Sequence, residues 1–327
     1  MPANVQSMAY HGEVPWHGLG KKVPMGVSAE EMIRAADLDW QVELRPARGA
    51  REINRHGEFS RYEVVRVPRP NMKESETLLG LVTRRYEPLQ NVEAFRFFDP
   101  IVGEGKAFFE TAGALGEGER IWVMAKMPQA MKIVPGDECL KYLLLSNTHS
   151  GEGSVTVKFT TVRVVCQNTL MLAMEDGQKA YRVRHSKMMQ FRLDELSEFL
   201  AITQEVFLKA EECFRQLARI QMANGRLEQY LEAVFPRSAT GKRKDEKPPR
   251  WVYVQEAFHS RPDLQMNGVR GTLWGAYNAI TRFEDYKQPL QEEGADQRLE
   301  RTWFGSSADI KLKALDKAKE LAAAWRN

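Results

Sequence analysis

The sequence is poor in the residues that staple, ligate or anchor a chain. It carries only three cysteines, Cys139, Cys166 and Cys213. They are widely spaced, odd in number and form no CxxC pair, which argues against a disulfide framework and against a thiolate zinc site. The histidines, His11, His17, His56, His149, His185 and His259, are scattered without an HxH or HExxH pattern. No metal motif results, and neither a metal nor another cofactor is expected. The opening Met1-Pro2-Ala3-Asn4 has no basic segment followed by an apolar one, and no apolar run reaches the length of a membrane span, about 18 residues. No signal peptide and no membrane contact are expected, and a reduced, cytoplasmic setting fits best. Charge of one sign is also scarce: the net charge is +3 over 327 residues, too little to identify a partner except through local clustering. Nucleophile motifs are missing too. There is no GxSxG, and Gly241-Lys242 lacks the first glycine and the leading strand of a P-loop.

What the chain does have is an ordinary globular composition, 43% hydrophobic and 28% charged, long enough to bury a full core. Ser28-Ala29-Glu30-Glu31 reads as a capped helix start running to Ala36. Strands are expected at Trp40–Leu44, Arg61–Val67 and Leu78–Val82, the first two joined by a hairpin turn at 54–57. A helix follows with Asn91 as its cap. Phe108–Ala112, Arg120–Met127 and Leu140–Asn147 read as further strands, parted by glycine-rich turns at 113–118 and 151–153. Past about residue 190 the pattern changes. Leu196, Phe199, Leu200, Val206, Phe207, Phe214 and Leu217 recur every three or four positions, as a long amphipathic helix requires. Leu227–Phe235 makes a second helix ended by Pro236. Residues 237–250 read as a mobile basic loop, and helices return at Thr272–Thr281 and Ile310–Trp325. The expected class is α+β: a mostly antiparallel sheet with packed helices over 1–190, then a mainly helical region over 191–327.

The most informative segment is Ser154–Leu170. Val155, Val157, Phe159 and Thr161 would face one way on a strand, and Thr156, Lys158, Thr160 and Val162 the other. The strand then becomes almost wholly apolar, except for Arg163, and ends in Cys166-Gln167-Asn168-Thr169. A charge beside an apolar run is costly to bury alone. Arg163 is therefore either paired with a core carboxylate, with Asn168 capping a following helix, or it awaits an anion with Gln167 and Asn168 as amide partners. From Lys158 to Arg192 the cations Lys158, Arg163, Lys179, Arg182, Arg184 and Lys187 alternate with Tyr181, His185 and Phe191. Cations that follow phosphates, with flat rings beside them, suit a single-stranded nucleic acid; an ordinary solvated hairpin is the competing reading. Trp16-His17-Gly18-Leu19-Gly20 reads as a packing knot, and Glu93 as a first-turn helix carboxylate. Cys166 beside His149 or His185 would make a thiol–imidazole pair.

Five stretches occur together in order: Pro15–Gly20; Tyr86-Glu87-Pro88-Leu89-Gln90-Asn91 with Glu93-Ala94-Phe95; Thr111–Leu115; Arg163–Leu170 followed by Arg184-His185; and Gly271–Ile280. As a set they resemble the DUF932 family, also called the phage/plasmid-like protein family. The resemblance spans nearly the whole chain and implies a phage, prophage or conjugative-plasmid setting. It names no reaction and no catalytic residues.

The expected function is nucleic-acid binding for a mobile element, by holding or annealing single-stranded DNA during recombination or element entry. A homo-oligomer is expected, and Lys158, Arg163, Gln167, Asn168, Lys179, Arg182, Arg184, His185 and Lys187 are the binding residues. The alternative is an interaction protein that modulates a host factor, of anti-restriction type, using the helix from Asp194 to Gln221. A third reading is an enzyme with a site around Arg163, Cys166, Asn168 and His185.

Overall fold

The computed structural model describes residues 4–12, 18–50, 60–69, 75–163, 165, 169–171, 181–186, 203–223, 225–237, 249–286 and 298–325. In chain order the elements begin with β1 (Val5–Tyr10), β2 (Lys21–Lys22), α1 (Ala29–Ala35), β3 (Gln41–Pro46), β4 (Tyr62–Val67) and β5 (Thr77–Val82). They continue with α2 (Asn91–Arg96), α3 (Asp99–Val102), β6 (Phe108–Leu115), β7 (Arg120–Lys126), β8 (Met131–Val134) and β9 (Asp137–Thr148). Next come β10 (Val155–Arg163), β11 (Thr169–Met171), β12 (Tyr181–Val183), α4 (Thr203–Arg219), α5 (Arg226–Val234) and α6 (Pro249–Ser260). A 3₁₀ turn (Pro262–Leu264), α7 (Leu273–Tyr286), α8 (Arg298–Trp303) and α9 (Ser306–Ala324) complete the chain. The class is α+β, with antiparallel pairing dominant. No described helix is long and apolar enough to cross a membrane.

The residues gather into two compact units. The first comprises 1–128, 142–159 and 180–203; the second comprises 129–141, 160–179 and 204–327.

In the first unit β6 pairs antiparallel with β1 and β7, β7 pairs with β9 from Arg120↔Thr148 to Lys126↔Tyr142, and β12 pairs with β10. A second sheet has the order β3-β4-β5. Its hairpin turn at 54–57 falls outside the described residues. Helix α1 starts where the sequence places it. Ser28 caps it through a reciprocal capping box with Glu31, and Met32, Ile33 and Ala36 are buried. Phe95, Phe98 and Phe109 form one ring cluster, with centroids 5.7 and 6.0 Å apart. The Thr111–Leu115 stretch, expected to become a turn from Gly113, instead stays in strand β6 to Leu115. Gly113 is there for space: a Cβ would lie 2.4 Å from the Trp122 ring and 2.5 Å from the Ser7 carbonyl.

A second correction concerns α2. Its N-cap is Gln90, whose backbone N–H donates to Glu93 Oε2 at 2.8 Å. Asn91 is the first helical residue and is buried. That burial frees its amide for the contacts described below.

The second unit is mainly helical. Helix α4 buries Phe207, Phe214 and Leu217 on one face, as its apolar spacing predicts; the part of the expected helix before Thr203 lies outside the described residues. Helix α7 is buried almost all round, because Gly275 lets its backbone approach Val269: a Cβ there would meet that carbonyl at 2.7 Å. Phe214 and Trp274 pack with centroids 4.7 Å apart. Lys311 of α9 is wholly buried and donates to Asp285 of α7 at 2.7 Å. Helix α6 was not expected. Trp251, Val254, Ala257 and Phe258 form its buried stripe, but the preceding charged segment masked that spacing.

Candidate nucleic-acid interface

The second unit resolves the fork over Arg163. Its side chain is wholly buried at the end of β10. Nε donates to Asp137 Oδ1 at 2.7 Å, and Nη2 donates to the Asp263 carbonyl at 3.0 Å. The other Asp137 oxygen accepts the indole N–H of Trp274 at 2.8 Å. Both carboxylate oxygens thus hold buried donors, and the guanidinium ring-fences its charge within the unit. Arg163 is a structural arginine, a correction to its place among the phosphate-binding residues: a side chain with no exposed surface cannot reach a polyanion. The helix expected to follow Asn168 is instead strand β11, which pairs antiparallel with β10 from Thr169 to Met171; Asn168 and Gln167 themselves lie outside the described residues, as do Cys166, Lys179, Lys187, Trp16 and His17.

In the first unit Arg182 and Arg184 are exposed, Lys158 is half-buried and His185 is buried. Arg182 pairs across from Thr156, so it shares the outward face of the β10–β12 ladder with Lys158. Arg184, one step beyond the strand, has a different setting. It opens onto a cleft of about 660 Å³. Arg61 enters this cleft from just before β4, and Arg85 from the turn after β5. Its walls also include Val82 and the glycines Gly151 and Gly153 between β9 and β10. Among the described lining residues there is no carboxylate. All three arginines are exposed at the rim. Two glycine positions shape the wall: a Cβ on Gly80 would meet the Ser150 carbonyl at 2.2 Å, and one on Gly151, at φ +82°, would meet Val82 at 2.4 Å.

The floor is a stacked pair, Tyr86 on His185, with ring centroids 4.6 Å apart. The Tyr86 hydroxyl donates to the Thr148 carbonyl at 3.1 Å. His185 Nδ1 lies 3.1 Å from the Glu87 carbonyl. Behind this floor sits His149, wholly buried. Its Nε2 is 3.0 Å from Asn91 Oδ1, and the Asn91 amide is oriented by its own donation to Leu38 O at 2.9 Å. Asn147 donates to Leu89 O at 3.0 Å, and Trp40 meets His149 edge-on at 5.5 Å. Burial pushes the His149 imidazole down to about 3, helped by the neighbouring His185, and pushes His185 down as well. Both rings are neutral at pH 7.

The sequence points to Arg184 and His185, and to His149 only as a partner for Cys166; Arg61, Arg85, Asn91 and Asn147 are not picked out by it as site residues. The signal was present in the Tyr86–Asn91 stretch. It was read for carboxylates, whereas its working groups are a phenol, a backbone carbonyl and an amide.

A sequence profile described as "Domain of unknown function (DUF932)" matches residues 78–303. No curated protein and no solved structure matches the chain.

Proposed function

The chain belongs to the DUF932 family, and we propose that it binds nucleic acid, gripping the phosphates of a single strand in the arginine-lined cleft of its first unit. The observation that carries this reading is the convergence of Arg61, Arg85 and Arg184, from three distant segments, on one cleft without a carboxylate among its described lining residues. Exposed like charges repel, and a polyanion relieves that repulsion while releasing its own counterions. Arg182 and Lys158 on the adjacent ladder face extend the positive track. Arginine suits this task because its planar fork meets two phosphate oxygens at once. Tyr86 and His185 are buried, so within this cleft the contacts fall on the backbone rather than on the bases. Such binding tolerates any sequence, which fits the handling or annealing of single-stranded DNA by a phage or plasmid element in a bacterial cytoplasm. Annealing also suits a homo-oligomer that presents several clefts to one strand.

Fluorescence anisotropy with single- and double-stranded oligonucleotides across a salt series tests the proposal. A site engaging three phosphates gives a slope of roughly −2 in log affinity against log salt on single strands. Each of Arg61→Ala, Arg85→Ala and Arg184→Ala should flatten that slope by about 0.7, and the triple charge reversal to glutamate should abolish binding. A folded triple variant that binds as the wild type does would refute the assignment. A protein with little affinity for either nucleic acid that co-purifies with a host protein would favour the host-factor alternative.

A further inference from the structure

A second cleft, of about 350 Å³, lies wholly within the second unit, where three helices end or begin. Gln216, Arg219 and Ile220 stand three and four positions apart, so they share one face as α4 runs out. The segment that follows is pinned to the start of α7: Leu273 N–H donates to the Ile220 carbonyl and Met222 N–H to the Gly271 carbonyl, both at 2.8 Å. The chain then enters α5, whose first residue, Arg226, donates from Nη1 to the Gln221 carbonyl at 3.1 Å. The Arg226 guanidinium lies over the Trp325 ring, 5.0 Å from its centroid. Trp325 closes α9, its backbone N–H held by the Leu321 carbonyl at 2.9 Å. One recess thus receives two arginines, two carboxamides and an indole.

The charges of this recess are not answered locally. No carboxylate occurs among its described lining residues, and the exposed Arg219 has no ion pair among the described residues. The helix dipole accounts for a cation at Arg219, in the last turn of α4. It does the opposite for Arg226, which stands at the positive end of α5 and is kept there by a carbonyl and a ring. A cation held in a fixed pose against the local field, beside a half-buried indole, is placed for a ligand that is both flat and anionic. We propose that this cleft binds a nucleotide, its base against the Trp325–Arg226 pair and its phosphate on Arg219. Bases of any identity stack on an indole, and a guanidinium adds to that attraction. The planar fork of Arg219 suits two phosphate oxygens, while the carboxamides of Gln216 and Gln221 offer donors and acceptors to a base edge. The volume, near the lower end of small-molecule sites, about 300–1,000 Å³, has room for one nucleotide. That nucleotide is either free or one unit of a strand. The site shares no residue with the arginine cleft of the first unit and does not rest on the function proposed for it.

The test titrates the full-length protein with adenosine monophosphate, with adenosine and with inorganic phosphate, by calorimetry. The monophosphate should bind saturably, and each of the other two at least about tenfold more weakly, because each lacks half of the contacts. Arg219→Gln, at an exposed position that folding tolerates, should weaken the monophosphate about tenfold and leave adenosine unchanged. Trp325→Ala, with its fold checked by circular dichroism, should weaken both. Of the seven indole N–H signals, the one missing from Trp325→Phe should shift as the monophosphate is added. All of this should persist in the Arg61→Ala, Arg85→Ala, Arg184→Ala triple variant, so a failure here is separable from a failure of the first cleft. In that variant, a six-residue deoxyadenosine oligonucleotide that binds no tighter than the monophosphate assigns the site to free nucleotide; tighter binding assigns it to a strand. Phosphate binding as tightly as the monophosphate, monophosphate binding indifferent to Arg219→Gln and Trp325→Ala, or no saturable binding below about 5 mM would each overturn the proposal.

Discussion

Replacing Asp137 with asparagine is expected to destabilise the second unit by about 3 kcal/mol, the low end of the range for breaking a buried ion pair, because Asp263 still faces the guanidinium at 3.7 Å. The reason lies in how completely the carboxylate is used. One oxygen holds Arg163 Nε at 2.7 Å and the other holds Trp274 Nε1 at 2.8 Å, with no exposed surface on either charged side chain. The substitution keeps the volume but removes the nearer of two counter-charges, leaving Asp263 Oδ2 at 3.7 Å from Arg163 Nη1, and it turns one acceptor into a donor facing an indole N–H. Arg163→Met should cost a similar amount, by stranding the carboxylate. The double variant should recover part of the loss, because removing both charges lifts the desolvation cost along with the attraction. Urea unfolding of the four proteins, followed by far-ultraviolet circular dichroism, measures the cycle. Single variants within about 1 kcal/mol of wild type would show that solvent reaches the pair and that the charge is not structurally held.

Acid should destabilise the first unit before it protonates most carboxylates. His149 titrates at about 3 when folded, against an ordinary value of 6.5. Below pH 6.5 the unfolded chain therefore binds a proton that the folded chain refuses. The contribution of His149 is fully present above pH 6.5 and is lost as pH falls toward 3, at about 1.4 kcal/mol per pH unit. His185, whose value is also lowered by burial, adds to the slope in the same direction at the upper end of that window. The groups packed on His149 are Asn91, Asn147 and Trp40, none of which titrates here, so His185 is the charge partner that matters. Denaturant midpoints at pH 7 and pH 5 give the size of the effect, and an imidazole titration by nuclear magnetic resonance gives its source. A His149 signal that titrates near 6.5 would remove the basis of this expectation.

Much of the architecture was legible because it follows from local chemistry. The alternation Val155, Val157, Phe159 fixes the buried face of β10, and Ser28 with Glu31 fixes the start of α1. Proline ended α5 where it had to, after Phe235. What stayed hidden depended on long-range pairing. The sequence presents Arg163 as an arginine in an apolar run, but its acceptor Asp137 lies 26 residues earlier and its lid Trp274 lies on a helix more than a hundred residues later. The cleft was missed for the same reason. Arg61 and Arg85 read as surface cations in unrelated segments, and only the β3–β4–β5 sheet and the 149–153 turn bring them beside Arg184. Asn91 misled because an asparagine before a helix reads as a cap. Here Gln90 takes that role, leaving the Asn91 amide to orient a histidine.

Lys311 provides a clock for the helical unit. Its amine is sealed against Asp285, whereas Lys319, two turns along the same helix, is open to solvent. An acylating reagent should tag Lys319 at once and Lys311 only during the moments when α9 lifts from α7. The ratio of the two modifications, read by mass spectrometry, reports how often that packing opens in an otherwise native protein.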